Sequence, residues 1–181
     1  MRIHVPDPSL VVLVGAAGAG KSTLAARLFA TQDVLSSDAF RGIVSGDEAD
    51  QGATRIAFSI LHRELGRRLV ARRMTVIDAT NVQAYARRQL VRRATRANVP
   101  AIAIVLQLPP ALVLARNATR HGRIVPEVAV RRQVEDLERS VRRGLELEGF
   151  AAVHILRSPA ELDSLEIDGG DIDRPEIDPR D

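Results

Sequence analysis

The sequence predicts an α/β protein, a parallel sheet of about five strands flanked by helices. Three observations carry that reading. Short, nearly continuous apolar runs recur at residues 10–14, 34–37, 74–78, 101–108 and 151–156. Longer stretches with helical spacing separate them. The first run passes directly into a glycine-rich turn and then a helical pattern. Strands that are apolar on both faces and alternate with helices belong to a sheet covered on both sides.

The elements follow in order. LVVLV (Leu10 to Val14) is the first strand, and Gly15-Ala16-Ala17-Gly18-Ala19-Gly20-Lys21-Ser22 follows it at once. That octet fits G-x-x-x-x-G-K-[ST] at every defined position, with a strand before it and a helix after it. VLSS at 34–37 is the second strand, with Asp38 at its carboxyl end and Arg41 one turn later. From Thr54 to Arg73, Ala57, Phe58, Ile60, Leu61, Leu65 and Leu69 fall on one stripe of a helix, and Arg63, Arg67, Arg68, Arg72 and Arg73 fall mostly elsewhere. MTVID at 74–78 is a third strand, ended by Asp78. Ala84 to Asn98 has a weaker, Arg-rich helical pattern, and Pro100 breaks it before the strand at 101–108. Leu112 to Thr119 forms a short helix. A longer helix starts at Glu127 behind Pro126, with Val130, Val134, Leu137, Val141 and Leu145 at helical spacing, and Gly149 closes that region. AAVHIL at 151–156 is the last strand. The acidic stretch from about Asp168 to Asp181 has Pro and Gly but no apolar period, which predicts a disordered tail behind a domain of residues 1–167.

The glycine-rich octet is a phosphate loop, and the predicted fold is therefore that of a P-loop NTPase. Glycines at 15, 18 and 20 let successive backbone N–H groups turn inward, with Ala19 between them and Thr23 just behind. The following helix adds the positive end of its dipole. Lys21 is expected on the β/γ-phosphates and Ser22 on Mg²⁺, so the expected ligands are ATP or another NTP and Mg²⁺.

Other residues suit phosphoryl transfer. Asp38 stands at a strand end, where ligands gather in open α/β sheets. A carboxylate there can orient an acceptor hydroxyl and take its proton. It is equally a residue type that caps a helix. Arg41 could hold a phosphate of the acceptor. Asp78, an acid ending an apolar strand, matches a position that supports Mg²⁺; a turn cap is its structural alternative. Arg116, Arg120 and Arg123 are spaced four and three apart and suggest a lid that delivers positive charge to the triphosphate. Gly122 makes the end of that segment a loop. The aromatics are only Phe29, Phe40, Phe58, Tyr85 and Phe150, which argues against an extensive stacking platform. The four histidines show no metal-ligand spacing.

Composition narrows the partners. The chain of 181 residues is 45% hydrophobic and has no cysteine, so it has neither a disulfide framework nor a thiolate metal site. No run approaches a membrane span, and MRIHVPDPS has no signal-type apolar stretch, so a cytoplasmic protein without membrane attachment is expected. Residues 1–160 carry 24 basic and 14 acidic side chains, a net of +10; residues 161–181 carry 2 and 9, a net of −7. A basic body suits a polyanion. Monomer and homodimer both remain open.

Taken in order, GAAGAGKS, SSDAFRG (Ser36 to Gly42), DEADQ (Asp47 to Gln51), TVIDATN (Thr75 to Asn81), the Arg116–Arg123 segment and EGFAAVHIL resemble the 5′-OH polynucleotide kinase domain of bacterial polynucleotide kinase–phosphatase RNA-repair enzymes. The resemblance runs from about Leu10 to Ile167. It implies transfer of the γ-phosphate of ATP to a 5′-OH end of RNA or DNA. It further implies Lys21 and Ser22 on phosphates and metal, Asp38 as general base, Arg41 on the acceptor, and Arg116 and Arg123, with Arg120, on the donor phosphates. Two alternatives stay beside it: a small-molecule kinase acting on a sugar, nucleoside or antibiotic hydroxyl, and a nucleotide-binding regulatory module without transfer activity. A positive channel leading to Asp38 would favour the polynucleotide; a closed pocket would favour the small acceptor.

Overall fold

The computed structural model describes residues 1–45, 54–120 and 124–169. Arg123, the Asp47–Gln51 block and residues 170–181 of the acidic tail lie outside the described residues. The strands are β1 (Arg2–His4), β2 (Leu10–Val14), β3 (Val34–Ser36), β4 (Thr75–Asp78), β5 (Ala101–Leu106), β6 (Ala152–Leu156) and β7 (Glu166–Asp168). The helices are α1 (Lys21–Leu28), α2 (Ser37–Ser45), α3 (Thr54–Val70), α4 (Ala84–Arg96), α5 (Pro110–Ala118), α6 (Glu127–Arg143) and α7 (Pro159–Asp163). No helix among the described residues is long and apolar enough to cross a membrane.

Five strands form one parallel sheet in the order β3-β4-β2-β5-β6, as the apolar runs predict. All five residues of β2 are buried because the sheet is covered on both faces. Val11 and Leu13 enter the core under α1 and α5; Leu10, Val12 and Val14 enter the core under α3 and α4. Successive strand side chains point to opposite faces, so an uninterrupted apolar strand is the required sequence. From the central β2 the chain builds first towards β4 and β3, then crosses to β5 and β6. The crevice at the carboxyl end of β2 is where such a reversal places ligands.

Several boundaries differ from the sequence expectation. The strand at 101–108 ends at Leu106, and the helix from Thr54 stops at Val70, with Arg72 at φ 49°. The last long helix ends at Arg143, capped by Gly144 at φ 83°, ahead of Gly149. Asp168, expected to open the tail, ends β7, which pairs in parallel with β1.

Candidate active site

The phosphate loop crosses from β2 into α1. Gly18 has φ +84°, and a Cβ there would lie 2.5 Å from the Val113 carbonyl oxygen on α5. The close approach and the left-handed backbone both demand glycine. Gly20, at φ +97°, precedes α1, and no side chain caps that helix, so its first N–H groups are left for an anion. Lys21 is buried and folds back to donate from Nζ to the Gly15 and Ala16 carbonyls at 3.0 and 2.9 Å. Burial lowers its pKa to about 8; Asp78 opposes that shift and Arg120 adds to it.

A second turn, after β4, forms the floor. Gly15 N–H donates to Thr80 O at 2.9 Å, joining the phosphate loop to the D-A-T-N turn. Asn81 sits at φ 49°, a conformation asparagine tolerates, and its Nδ2 donates to Leu13 O at 2.8 Å. Arg87 of α4 is fully buried beneath it. It donates to Asn81 O at 2.8 Å and holds Glu148 through two contacts of 2.8 and 2.6 Å. Asp78, at the end of β4, is buried beside this turn.

Asp38 lies in the first turn of α2. Arg41, one turn later and buried, donates to one carboxylate oxygen; Arg120, beyond the end of α5, stands 3.7 Å from the other. The Ser36 hydroxyl, not Asp38, accepts from the Ala39 N–H, at 3.4 Å. Asp38 instead faces the two arginines. Arg116 is exposed on α5 near Gly20. Arg123 lies outside the described residues. Asn117, buried on α5, donates to Val125 O at 2.8 Å and accepts from Val125 N–H at 3.2 Å, closing the base of the arginine segment. Gln133 of α6 accepts from Ala17 N–H at 2.8 Å and so fixes the phosphate loop from the far side.

Two cavities meet at this point. One, of about 330 Å³, is lined by Gly18, Gly20, Ser22, Thr23 and Arg116 and reaches Leu162 and Asp163 of α7. The other, of about 200 Å³, is lined by Ser37, Asp38, Arg41, Asp78, Thr80 and Gln133. Lys21, Ser22 and Arg120 line both. Among the described residues no group of three or more His, Asp or Glu side chains could hold a metal by itself. Ser22 and Asp78 line the same cavity, an oxygen donor pair of the kind that suits an ion such as Mg²⁺, which takes most of its ligands from phosphate and water.

Gln133, Asn117 and Arg87 escaped the sequence reading. Each acts on a partner distant in sequence or through a polar type that carries no periodic signal; only the proximity of Asn117 to the lid arginines could have flagged it.

A five-stranded parallel sheet with a phosphate loop at its centre defines the class, a P-loop NTPase. The AAA domain family AAA_33 matches residues 10–143, and the chain belongs to it. No curated protein sequence matches the chain. Solved structures similar in fold include a chain of the Pnkp1/Rnl/Hen1 RNA repair complex, at 24% identity and TM-score 0.66, covering 77% of this chain and 47% of that one. The present chain thus spans about half of that protein's length. A sugar kinase from a Janibacter species is 20% identical with TM-score 0.57 and covers 86% and 90% of the two chains. Shikimate kinase from Acinetobacter baumannii is 19% identical with TM-score 0.54, covering 86% and 88%.

Proposed function

We propose that the protein is an ATP-dependent polynucleotide 5′-kinase that moves the γ-phosphate of a nucleoside triphosphate to a 5′-OH end of RNA or DNA. The observation that carries this reading is the junction of the two cavities at Lys21, Ser22 and Arg120. The larger cavity takes the donor, with its phosphates on the loop amides and the N-terminus of α1. The smaller takes the acceptor, with its hydroxyl at Asp38. Mg²⁺, held with Ser22 and Asp78, would neutralise charge on the β- and γ-phosphates.

The 5′-oxygen attacks the γ-phosphorus as the bond to the β–γ bridging oxygen breaks. The hydroxyl proton passes to Asp38, and ADP leaves. Lys21 and the lid arginines Arg116, Arg120 and Arg123 stabilise charge spread over the transferred oxygens. Arg41 orients Asp38 and engages a phosphate of the acceptor.

The net +10 of residues 1–160 and the ordered SSDAFRG and DATN blocks support a nucleic-acid end as acceptor. The second reading, a small-molecule kinase, is favoured by the modest 200 Å³ of the acceptor cavity. Incubation with γ-labelled ATP, Mg²⁺ and a panel of 5′-OH RNA, 5′-OH DNA, nucleosides and sugars separates them. Label on a nucleic-acid 5′ end is expected. Label on a sugar or nucleoside alone would replace the reading with the small-molecule one, and label on nothing would leave the regulatory module.

A further inference from the structure

Phe58 and Thr80 border the acceptor cavity on one side. Both residues also line a cleft of about 370 Å³ between α3 and α4. One wall is a ring pair one turn apart on α3: Phe58 and His62, with centroids 6.3 Å apart and planes tilted by 38°. The facing wall is α4, where Tyr85 and Gln89 share a stripe with Arg93. Leu61, Ile77, Val82 and Leu90 make an apolar floor.

Tyr85 is 63% exposed, a large aromatic held at the surface beside an apolar cleft. His62 Nδ1 has no hydrogen-bond partner among the described residues. Burial and the neighbouring Arg93 lower the His62 pKa, so the ring is neutral at pH 7 and suits stacking against an uncharged base. Beyond the cleft, α4 presents Arg88, Arg92, Arg93 and Arg96 to solvent, and Arg93 donates to His62 O at 3.3 Å across the cleft's far end.

We infer that this cleft is the exit path of a single-stranded acceptor: the nucleoside next in from the 5′ end sits against Phe58, His62 and Tyr85, and the following phosphates pass over the arginines of α4. The inference rests on the polynucleotide reading above and adds to it a route and a preference for acceptors longer than one nucleotide. Two features select this occupant. The cleft adjoins the cavity that holds Asp38 and shares Phe58 and Thr80 with it, and its apolar floor with a basic far rim matches alternating bases and phosphates. A sugar acceptor would fill the first cavity and leave the cleft unused.

The test compares KM for a nucleoside 3′-monophosphate with KM for a 5′-OH trinucleotide, in the wild type and in Tyr85→Ala and Tyr85→Phe. The wild type should bind the trinucleotide about tenfold better, the usual order for one stacked base. Tyr85→Ala should lose that gain while leaving kcat, KM for ATP and KM for the nucleoside 3′-monophosphate unchanged, and Tyr85→Phe should retain it. Equal trinucleotide KM in wild type and Tyr85→Ala would overturn the exit path while leaving the polynucleotide reading intact. Failure of the wild type to label any 5′-OH nucleic acid would overturn both.

Discussion

The floor of the site and its rim are built on opposite principles. The floor is locked by short bonds between buried groups: Gly15 to Thr80, Asn81 to Leu13, and Arg87 to Asn81 and Glu148. The rim is a set of charges whose contacts substrates can replace. Asp38 and Arg120 are 27% and 37% exposed, and Arg116 is exposed. Both regions use arginine, yet Arg87 holds a backbone turn while Arg120 stands beside a carboxylate and lines two cavities. Burial distinguishes the two roles, and it also sets what a substitution should cost.

Arg87→Ala is expected to have the largest effect. It leaves Glu148 charged and unpaired in the interior, a loss of about 3–5 kcal/mol. In a thermal melt that is a fall of roughly 10 °C. The double variant Arg87→Met, Glu148→Leu should recover most of it, because removing both charges removes the unpaired one. If the single variant melts like the wild type, the floor is not locked by this pair.

Lys21→Ala comes next and crosses the comparison, since Lys21 is buried with the floor yet acts at the rim. Its melting temperature should not fall, because burial already disfavours the charged lysine, while kcat/KM for the triphosphate should fall by about two to three orders of magnitude, the usual cost of one charge aimed at the transferred oxygens. Unchanged turnover would sink the assignment of the phosphate loop. Arg120→Ala should be milder, about tenfold in kcat/KM with an unchanged melt, in keeping with one hydrogen bond to a charged group. A melt lowered as far as that of Arg87→Ala would place Arg120 in the floor.

The smallest effect is the response to pH, and it separates the two roles of Lys21. Its pKa is about 8 in the folded protein against 10.5 as the ordinary value. Between those values the unfolded chain holds the extra proton, so this group's contribution to stability rises with pH across that window. A bound triphosphate favours the charged lysine, so affinity should instead be fully present below pH 8 and weaken above it. Melts and nucleotide titrations from pH 7 to 9.5 should therefore move in opposite directions, and Lys21→Met should remove both trends. Parallel trends would contradict the burial-driven shift.

Much of the sheet was legible because its strands are apolar on both faces; β2 spans the run from Leu10 to Val14 that the sequence marks. The strands β1 and β7 were not, since each has three residues and only Ile3 and Ile167 carry apolar side chains inward. The phosphate loop, Asp38, Arg41 and Asp78 were singled out from spacing and strand ends, and the structure places Asp38, Arg41 and Asp78 around one cavity with Lys21 and Ser22. Arg87 was not. In an Arg-rich helix nothing marks one arginine as buried, and its partner Glu148 lies 61 residues away. Gln133 is hidden for the same reason, 116 residues from the Ala17 amide it accepts. Ser37, which closes the run read as the second strand, opens α2 instead.

The central claim is that the two cavities form one transfer path with Asp38 receiving the hydroxyl proton. Transfer of label from γ-labelled ATP to a 5′-OH oligonucleotide, measured in the wild type and in Asp38→Asn alongside nucleotide binding, tests it most directly. ATP affinity should be unchanged and transfer reduced by about two to four orders of magnitude. Transfer within tenfold of the wild type would contradict it.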